Sequence, residues 1–541
     1  MSPLQPLQAV DVSHSYGDRP VLAGVDLLAN PGQSVGVVGE NGVGKSTLLR
    51  LVAGVEEADS GSVRHPADLG YLAQELVAPP GATIAAVLAD ALAPLHDAVR
   101  RLEELAHGLD DPTVADAYAE TLVWAQSHDA WDADRRALLA TQRLGLEGVD
   151  PTRPVAQLSG GERTRLALAA VITRRPECVV LDEPTNHLDD SAIAFLEDFL
   201  LALPGGVVVA SHDRVFLDRV CEVIVDLDDA HFGTDGRGGN RFGGGFTAYL
   251  DHKEAARQRW EHAFSQQQDE LNDLRVAVRT TARQVAHNRP PRDGDKYIYH
   301  FKGSNVQSTI RRRVRDAEQR LAVIERDQVR KPPRRLSFSH ALTAEGRNKR
   351  GQVVSLRDVV VPGRVCLDRL DLAAGEHLLV TGANGSGKST LLLLVSGRLQ
   401  AASGLVQVSA RRVGMLAQEV AFSRPDRTPR EVYLAAAPGS PVALADLGLL
   451  HPRDLARPVG VLSIGQQRRL ALAILVAGRA DLLLLDEPTN HISLALASEL
   501  EDALGRSAGS VMVASHDRWL RRRWDGPTLH LESCDSARLP P

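Results

Sequence analysis

Lysine, cysteine and long apolar runs are scarce in this 541-residue chain. Seven lysines stand beside 55 arginines, so each position that keeps a lysine is worth locating. The four cysteines form no C-x-x-C pair, which excludes a zinc ribbon and predicts buried or incidental thiols without a disulfide framework. No apolar run approaches the roughly 18–20 residues of a spanning helix, and the first residues lack the pattern of a signal peptide. The sequence therefore predicts a cytoplasmic protein without membrane insertion.

What the chain does contain is two copies of one set of motifs. Five motifs occur in the same order in both halves, and 24 residues separate Ser159 from Glu183 as they separate Ser463 from Glu487. A single P-loop pattern can arise by chance, whereas five ordered motifs found twice cannot. The pairs are GENGVGKST (39–47) and GANGSGKST (382–390), GYLAQE (70–75) and GMLAQE (414–419), LSGGERTRLALA (158–169) and LSIGQQRRLALA (462–473), VVLDEPTNHL (179–188) and LLLDEPTNHI (483–492), and ASHDR at 210–214 and 514–518.

Short apolar runs lead into the motifs of both copies. QSVGVV and HLLVTG precede the glycine-rich loops, and CVVLDE and LLLLDE are continuous apolar runs of the kind found in buried parallel strands. We therefore predict an α/β fold with a mostly parallel sheet in each half. The predicted domains are 1–246 and 350–541 for the two copies, with 247–340 between them.

Each P-loop should place backbone N–H groups around phosphate oxygens at a helix N-terminus. Lys45 and Lys388 should reach the β- and γ-phosphates of ATP, and Ser46 and Ser389 should bind Mg²⁺. The other residues of the two predicted phosphate cradles are Gly39, Asn41, Gly42, Gly44, Thr47, Gly382, Asn384, Gly385, Gly387 and Thr390.

Two carboxylates follow the apolar strand of each copy. Asp182 and Asp486 end the strands and should hold Mg²⁺ directly or through water. Glu183 and Glu487 come one residue later, where a carboxylate can polarise the attacking water. The alternative, a surface carboxylate on a loop, is disfavoured by the flanking motif.

The order P-loop, glutamine, L-S-G-G, D-E-P-T and Ser-His-Asp resembles that of ATP-binding cassette ATPases. The resemblance implies a head-to-tail sandwich, in which each ATP lies between the P-loop of one cassette and the signature of the other. It also implies that Gln74 and Gln418 sense metal and water, and that His212 and His516 are γ-phosphate switches. The signature residues that would face ATP are Ser159, Gly160, Gly161, Ser463, Gly465 and Gln466.

An aromatic residue precedes the first P-loop. Tyr16 resembles the residue that stacks on adenine in these cassettes, although a tyrosine at a strand end can also be a core residue. The equivalent position in the second copy is Val361, so we expect the second site to hold adenine less selectively.

The second copy departs from the first in its signature and D-loop. Ile464 stands where the first copy has Gly160, and Ser493 stands where it has Asp189. Because a β-branched residue cannot adopt the positive φ angles open to glycine, we expect slower hydrolysis at the site built on the first P-loop, so that Glu487→Gln is the more damaging single change. Neutral drift is the alternative.

The first copy is also the longer one. Gln74 to Ser159 spans 85 residues, while Gln418 to Ser463 spans 45. The additional residues fall at about 82–145, where a helical pattern predicts an inserted helical arm.

The segment between the copies is basic within an acidic chain. Residues 253–335 hold 20 Lys and Arg against 11 Asp and Glu, whereas the whole chain carries formal charge −7. Apolar residues at 3/4 spacing in 271–285 and 306–324 predict an antiparallel helical hairpin with its tip at about 287–304. A basic, aromatic tip suits RNA phosphates and unstacked bases, although a charged hairpin can also be a merely solvated face. The candidate RNA contacts are Lys296, Tyr297, Tyr299, His300, Phe301, Lys302, Arg311, Arg312 and Arg313.

Two cassettes without membrane spans, joined by a basic hairpin, resemble the F subfamily of ATP-binding cassette proteins, which are soluble ATPases that act on the ribosome. The resemblance covers essentially the whole chain. It implies a monomer with ATP and Mg²⁺ as cofactors, which binds at the tRNA exit site with its tip near 23S rRNA and P-site tRNA. The stretch DKYIYHFKGSNVQSTIRRRVRDAEQRLAVIERDQVRKPP resembles the linker of actinobacterial macrolide- and lincosamide-resistance members, which implies protection of the ribosome from such antibiotics.

Four other functions stay open at this point. A housekeeping translation factor of the same subfamily is the nearest alternative. The ATPase subunit of a drug exporter needs a separate membrane partner, and the basic hairpin argues against it. A DNA-repair or cohesin-type ATPase carries its coiled coil inside one cassette, so no DNA partner is expected. A scaffold that does not hydrolyse ATP is disfavoured by the matched motif spacings.

Overall fold

The structure is a computed structural model of the chain. It describes residues 4–39, 42–73, 78–186, 188–228, 239–285, 312, 315–329, 331–332, 351–383, 385–418, 420–440, 442–447, 449–489, 494–505 and 507–532. The chain divides into two compact units. The larger unit comprises Met1–Asp229, Arg237–Tyr249 and Arg335–Pro541 and contains both motif copies; the smaller comprises Ala230–Gly236 and Leu250–Arg334.

The first cassette combines two sheets with helices. Its strands are β1 (Leu7–Tyr16), β2 (Arg19–Ala29), β3 (Ser34–Val38), β4 (Ser60–Arg64), β5 (Leu69–Leu72), β6 (Cys178–Asp182), β7 (Val207–Ala210), β8 (Val223–Asp226) and β9 (Asn240–Gly243). Its helices are α1 (Lys45–Val52), α2 (Ile84–Leu105), α3 (Pro112–Ser127), α4 (Ala133–Arg143), α5 (Gly160–Arg174), α6 (Asp190–Leu201) and α7 (Arg214–Val220).

The central sheet of this cassette is mostly parallel, as the apolar runs predict. Its strand order is β5-β6-β7-β3-β8-β9, and β9 alone of these runs antiparallel to its neighbour. Every residue of β3, β6 and β7 is buried, which explains their unbroken apolar sequences. An antiparallel sheet, β2-β1-β4, shares a core with this sheet and α1, to which Leu7, Val25, Val37, Leu48 and Val180 belong.

The additional residues of the first copy form α2, α3 and α4, in agreement with the predicted helical arm. Leu95, Leu102 and neighbouring alanines give the arm its own small core. The buried ring of His128 stacks on Trp124 at 4.0 Å, and its Nε2 lies 2.6 Å from Asp68 Oδ2. Because Asp68 directly precedes β5, this contact fastens the arm to the edge of the sheet.

The second cassette repeats the same frame. Its strands are β10 (Gln352–Val361), β11 (Val365–Ala373), β12 (His377–Gly382), β13 (Ser403–Val408), β14 (Val413–Leu416), β15 (Leu482–Asp486), β16 (Ser510–Ala514) and β17 (Thr528–Leu531), and its helices are α9 (Lys388–Val395), α10 (Pro429–Ala436), α11 (Ile464–Gly478), α12 (Leu494–Gly505) and α13 (Arg518–Arg522). The parallel order β14-β15-β16-β12-β17 matches β5-β6-β7-β3-β8 strand for strand, and β11-β10-β13 matches β2-β1-β4.

A long helix, α8 (Phe246–Val285), leads from the larger unit into the smaller one. It starts well before the stretch 271–285 whose apolar spacing predicts it. Residues 315–326 are helical, and Arg275 Nη2 donates to Glu325 Oε1 at 2.8 Å while Gln267 Nε2 donates to the Asp327 carbonyl oxygen at 3.2 Å. Later residues of one helix thus meet earlier residues of the other, so the hairpin is antiparallel as predicted.

The strand order brings the motifs of each cassette to one edge of its sheet. In the first cassette, the P-loop follows β3, the Asp-Glu pair ends β6, and Ser-His-Asp follows β7, and these three strands are neighbours. The carboxyl ends of parallel strands meet at the same edge, which is where ligands bind in open α/β sheets.

The cysteines differ from expectation in one case. Cys178 and Cys221 are free and buried, and burial raises the pKa of each thiol to about 12. Cys366 is disulfide-bonded, which corrects the prediction of buried or incidental thiols without a disulfide framework at this position. In the part of the chain that the structure describes, no helix has the length and apolar character needed to cross a membrane.

Candidate active site

The glycine-rich loops connect β3 to α1 and β12 to α9. The last glycine of each loop, Gly44 or Gly387, caps its helix with a left-handed backbone, at φ 113° and φ 94° respectively. A Cβ at Gly44 would lie 2.8 Å from Leu22 Cδ2, and a Cβ at Gly387 would collide with the Arg364 carbonyl oxygen. Glycine is therefore required at both positions, and the first N–H groups of each helix stay available to phosphate oxygens.

Lys45 and Lys388 are both buried and bond to their own loops. Lys45 Nζ donates to the Gly39 carbonyl oxygen and Lys388 Nζ to the Gly382 carbonyl oxygen, each at 2.9 Å. Burial lowers the pKa of both lysines, although nearby carboxylates, Glu183 foremost beside Lys45, act in the opposite direction. These ammonium groups therefore gain from any further negative charge placed beside them, such as a phosphate.

The serine after each lysine lies beside the aspartate that ends β6 or β15. The Ser46 hydroxyl acts to lower the pKa of Asp182, and the Ser389 hydroxyl acts to lower that of Asp486. Burial raises the pKa of both aspartates. Within the described residues, Asp486 Oδ1 is a buried oxygen without a hydrogen-bond partner. A hydroxyl beside a carboxylate with an unsatisfied buried oxygen fits the all-oxygen coordination of Mg²⁺, so these two pairs would hold the ion.

Glu183 and Glu487 share an unusual backbone conformation. Their φ angles are 51° and 46°. A non-glycine residue in this region costs about 1–2 kcal/mol, and the strained conformation recurs at the same position in both cassettes. Each strained turn is held by its own backbone N–H, which donates at 2.8 Å to the carbonyl oxygen of Ala210 or Ala514 on the adjacent strand.

The two histidines predicted to be γ-phosphate switches face the glutamates of their own cassettes in different ways. His516 Nδ1 lies 2.8 Å from Glu487 Oε1. Burial acts most strongly and lowers the pKa of His516, but the hydrogen bond to Glu487 and the negative charges of Glu487 and Asp517 together leave that pKa raised. His212 instead presents Nε2, which lies 3.4 Å from Glu183 Oε1 and 3.2 Å from Lys45 Nζ.

Each signature serine caps the helix that follows it. Ser159 Oγ accepts from Glu162 N, and Ser463 Oγ accepts from Gln466 N, both at 3.3 Å. The side chains of Glu162 and Gln466 accept in return from the serine backbone N–H groups, which completes a capping box in both cassettes. The positive ends of the helix dipoles of α5 and α11 are thereby held in a defined position beside the signature residues.

The backbone argument about Ile464 is wrong. Gly160 starts α5 without a positive φ, and a Cβ added there would meet nothing within 4 Å. Ile464 starts α11 at the equivalent position and is 68% exposed. The isoleucine therefore adds bulk beside the signature without straining the chain. Ser493, the other departure, lies outside the described residues.

One cleft of about 1860 Å³ contains the motifs of both cassettes. Tyr16 ends β1 and lines this cleft, while Val361 ends β10 at the equivalent position and is buried. The other predicted site residues that line the cleft are Gly42, Gly44, Lys45, Ser46, Thr47, Ser159, Gly161, Asp182, Glu183, His212, Gly382, Gly385, Gly387, Lys388, Ser389, Thr390, Gln418, Ser463, Gly465, Glu487 and His516. Asn41, Gln74 and Asn384 lie outside the described residues.

Of the predicted RNA contacts, one lies within the residues that the structure describes. Arg312 is helical and exposed. The remaining ones, Lys296, Tyr297, Tyr299, His300, Phe301, Lys302, Arg311 and Arg313, lie outside the described residues.

Reciprocal ion pairs join the two cassettes beside the cleft. Arg214 Nη1 lies 3.1 Å from Glu501 Oε1, and Arg518 Nη2 lies 2.6 Å from Glu197 Oε1. Each arginine directly follows the Ser-His-Asp motif of its own cassette, and each glutamate occupies the same place in α6 or α12. The pairs are thus related by the repeat. Motif comparison missed them, although the arginine is part of the repeated ASHDR.

Arg468 is a second residue that motif comparison missed. Its buried guanidinium donates to the Gln418 carbonyl oxygen at 2.7 Å and to the Asp486 carbonyl oxygen at 2.9 Å, and it also bonds to the Glu487 carbonyl oxygen. Arg468 therefore stabilises the strained turn at Glu487. Thr164 stands at the equivalent position in the first cassette and bonds back to its own helix.

Comparison with known proteins finds a family model and relatives that match both halves of the chain. The family model described as "ABC transporter" matches residues 22–186 and 368–490. The chain is 40% identical over 547 residues to the tylosin resistance ATP-binding protein TlrC of Streptomyces fradiae, with 98% of each chain covered. It is 30% identical over 542 residues to the energy-dependent translational throttle protein EttA of Mycobacterium tuberculosis, covering 95% of this chain and 90% of EttA.

The fold also has a solved counterpart. The archaeal ribosome recycling factor aABCE1, in its complex with the stalk protein aP1, superposes with a TM-score of 0.57 over 94% of this chain and 85% of that chain, at 19% identity.

The fold and the paired motif sets define a tandem ATP-binding cassette ATPase. Within that class, the chain belongs to the F subfamily of ATP-binding cassette proteins. It is an ATP hydrolase.

We expect ATP turnover at the Lys45 site to depend on pH near neutrality. Burial raises the pKa of Glu183 to about 7, and only the deprotonated carboxylate can polarise water. In a Glu487→Gln variant, which leaves this site alone, single-turnover hydrolysis should fall by up to about tenfold between about pH 8 and about pH 6. The affinity for a non-hydrolysable ATP analogue, measured at each pH, distinguishes an effect of pH on nucleotide binding from an effect on hydrolysis. A flat pH profile would contradict the role of Glu183.

Arg468→Thr should slow the Lys388 site. The change removes the donor to three carbonyl oxygens, two of them in buried contacts. Each buried group left unsatisfied costs about 1–3 kcal/mol of stability, and the turn of Glu487 is loosened. Single-turnover hydrolysis in a Glu183→Gln background should drop by about tenfold or more. Thr164→Ala, the matched change in the first cassette, should leave turnover in a Glu487→Gln background within about twofold. Equal effects of the two changes would contradict a bracing role for Arg468.

Proposed function

We propose that this ATPase acts on the ribosome, binds near the tRNA exit site and protects the ribosome from antibiotics of macrolide or lincosamide type. The observation that carries the proposal is the match to a tylosin resistance protein over 98% of both chains, because it includes the hairpin as well as the cassettes. The proposed contacts are 23S rRNA and P-site tRNA. The protein would work in the cytoplasm as a monomer, since the cassette sandwich is made within one chain.

ATP drives the proposed cycle through groups that are already in position. Lys45 and Lys388 exchange their loop carbonyl oxygens for phosphate oxygens, and the signature helix of the opposite cassette completes each site. Ser46 with Asp182, and Ser389 with Asp486, would hold Mg²⁺, which would supply positive charge against the phosphates. Glu183 and Glu487 orient the attacking water, and hydrolysis releases the contacts that hold the two cassettes closed.

The helices of the hairpin have a length and an exposed charge that favour binding to RNA. At about 1.5 Å per residue, the 40 residues of α8 span about 60 Å. On the second helix of the hairpin Arg312, Arg315, Arg320 and Arg326 are exposed. Exposed cations along an elongated element favour phosphate backbones through counterion release.

A housekeeping role in translation is the second candidate. The match to EttA, a translational throttle protein, favours it. Both candidates predict ribosome binding, so they differ only in whether the protein changes antibiotic sensitivity. An exporter subunit would instead sediment with membranes.

The Glu183→Gln, Glu487→Gln double variant should bind ATP without turning it over. Because ATP would hold the cassettes shut, the variant should stay on ribosomes and block translation. Co-sedimentation with ribosomes in the presence of ATP, with and without a macrolide, together with translation in an extract, measures both effects. Adding Lys45→Ala and Lys388→Ala to the double variant provides the control, since ATP binding and retention should then be lost. If the double variant hydrolyses ATP at the wild-type rate, the two glutamates are not the catalytic ones.

Alanine at Tyr297, Tyr299, His300 and Phe301 should abolish resistance in a sensitive host. Basal ATP hydrolysis by the isolated protein should remain, because these residues belong to the predicted tip and not to the cassettes. Minimum inhibitory concentration and steady-state ATPase rate are the two measurements. Resistance that survives all four changes would remove the tip from the mechanism.

Changes to the basic residues near the tip test the contribution of charge to ribosome binding. Changing Lys296, Lys302 and Arg311–Arg313 to alanine should weaken ribosome binding in a salt-dependent way, with a shallower slope of log affinity against log salt. A wild-type protein that binds ribosomes but leaves macrolide sensitivity unchanged would favour the housekeeping role.

A further inference from the structure

The two interface arginines are equivalent by sequence but make different contacts. Arg518 Nε and Nη2 donate to Asp213 Oδ2 at 3.2 and 3.1 Å, in addition to the contact of Nη2 with Glu197. Arg214 Nη1 contacts Glu501 at 3.1 Å and the Ser498 hydroxyl at 3.3 Å. The hydrogen bonds and ion pairs of Arg518 thus reach a switch loop of the first cassette, whereas those of Arg214 reach helix α12 of the second.

The residues around the two arginines account for this difference. Ser498 stands where the first cassette has Ala194, and Trp519 stands where it has Val215. Arg214 therefore meets a hydroxyl, and its guanidinium lies 5.7 Å from the centroid of the Trp519 ring. Neither alanine nor valine offers such a partner to Arg518, whose remaining donors reach Asp213.

Asp213 belongs to the loop that carries His212. Its Oδ1 caps α7 by accepting from Phe216 N at 3.0 Å, and its own N–H donates to Ser211 Oγ at 3.0 Å. The N–H of His212 donates to Glu183 Oε2 at 3.2 Å. A shift of Asp213 would therefore move His212 relative to the catalytic glutamate.

The other contact of Arg518 is a rigid anchor. Glu197 has no exposed surface, and Arg219 Nη1 of the same cassette lies 2.8 Å from its second oxygen. A buried carboxylate held by two guanidinium groups has little freedom to move. Arg518 therefore connects Asp213 to a fixed point in α6.

We propose that Arg518 is a positioning residue for the ATP site of the opposite cassette. It holds Asp213, and through Asp213 it keeps His212 between Lys45 and Glu183. Because Arg518 comes two residues after the second switch histidine, displacement of the second switch is passed to the first site. The return path through Arg214 ends on Glu501 and Ser498 of α12 and on the Trp519 ring of α13, whereas Arg518 bonds directly to the switch-loop residue Asp213. Turnover can be coupled in this one-sided way, because thermodynamic reciprocity governs binding and not rates.

This inference rests on the proposed assignment of the two hydrolysis sites. The test is Arg518→Gln, placed separately in the Glu487→Gln and Glu183→Gln backgrounds of the full chain. Single-turnover hydrolysis at the Lys45 site should fall by about tenfold or more, while the KM for ATP stays within about twofold. The Lys388 site, although it shares a cassette with Arg518, should lose less than about threefold.

Three further variants separate positioning from simple support of the interface. Asp213→Asn keeps the helix cap, since asparagine caps as well as aspartate, but removes the charge. It should reproduce the selective loss, and combining it with Arg518→Gln should add little. Arg518→Lys should recover part of the rate, because an ammonium can pair with one carboxylate but cannot fork between two. Arg214→Gln, the matched change in the first cassette, should affect both sites alike.

Equal losses at the two sites after Arg518→Gln, or a larger loss at the Lys388 site, would overturn the proposal. If the assignment of the two hydrolysis sites is wrong, the Glu183→Gln and Glu487→Gln variants show this on their own, before Arg518 is changed. Thermal unfolding identifies any variant that does not fold. If Arg518→Gln does not fold, Asp213→Asn tests the same contact from the side of Asp213. The Hill coefficient for ATP in the otherwise wild-type protein should also drop with Arg518→Gln, a readout that needs no site assignment. An unchanged Hill coefficient would count against the proposal.

Discussion

Charge held in a buried cleft at the carboxyl edge of the sheets is the constraint on which both ATP sites depend. Lys45 and Lys388 are buried next to carboxylates that are themselves buried and raised in pKa, so neither sign of charge is fully stabilised by the protein. In the proposed cycle, nucleotide and metal together would supply phosphate oxygens to the lysines and a cation to the aspartates. The resulting gain in free energy would be larger than in water, because the local dielectric constant is low. That gain would be available to draw the signature helices onto the nucleotide.

The two cassettes keep the same motifs but surround them differently. His516 meets its glutamate through Nδ1, whereas His212 uses Nε2 and also faces a lysine. Arg468 braces the second catalytic turn, where the first cassette has a threonine. Divergence has therefore acted on the residues that hold the catalytic groups. Two sites with one motif set can differ in rate for this reason, without any change to the motifs themselves.

The sequence predicted those features that depend on local pattern. Motif order, parallel strands, the arm and the antiparallel hairpin each follow from spacing or periodicity, and the structure contains all of them. The apolar spacing of 271–285 identifies only the later part of α8, because residues 246–270 are mostly polar. The Ile464 argument failed because residue type does not reveal the φ angle of the glycine it replaces. The pairing of Arg518 with Glu197 joins residues more than 300 positions apart, and no periodic pattern signals such a contact.

The reciprocal arginine–glutamate pairs make the surface between the cassettes self-complementary, since each half carries both a donor and an acceptor. Surfaces of this kind are typical of two-fold dimers, and they can also join halves of different molecules. A covalent tether raises the effective concentration of the half on the same chain and so disfavours exchange between molecules. The segment between the cassettes therefore has a task independent of anything its tip touches: it keeps the two halves of one ATPase paired with each other.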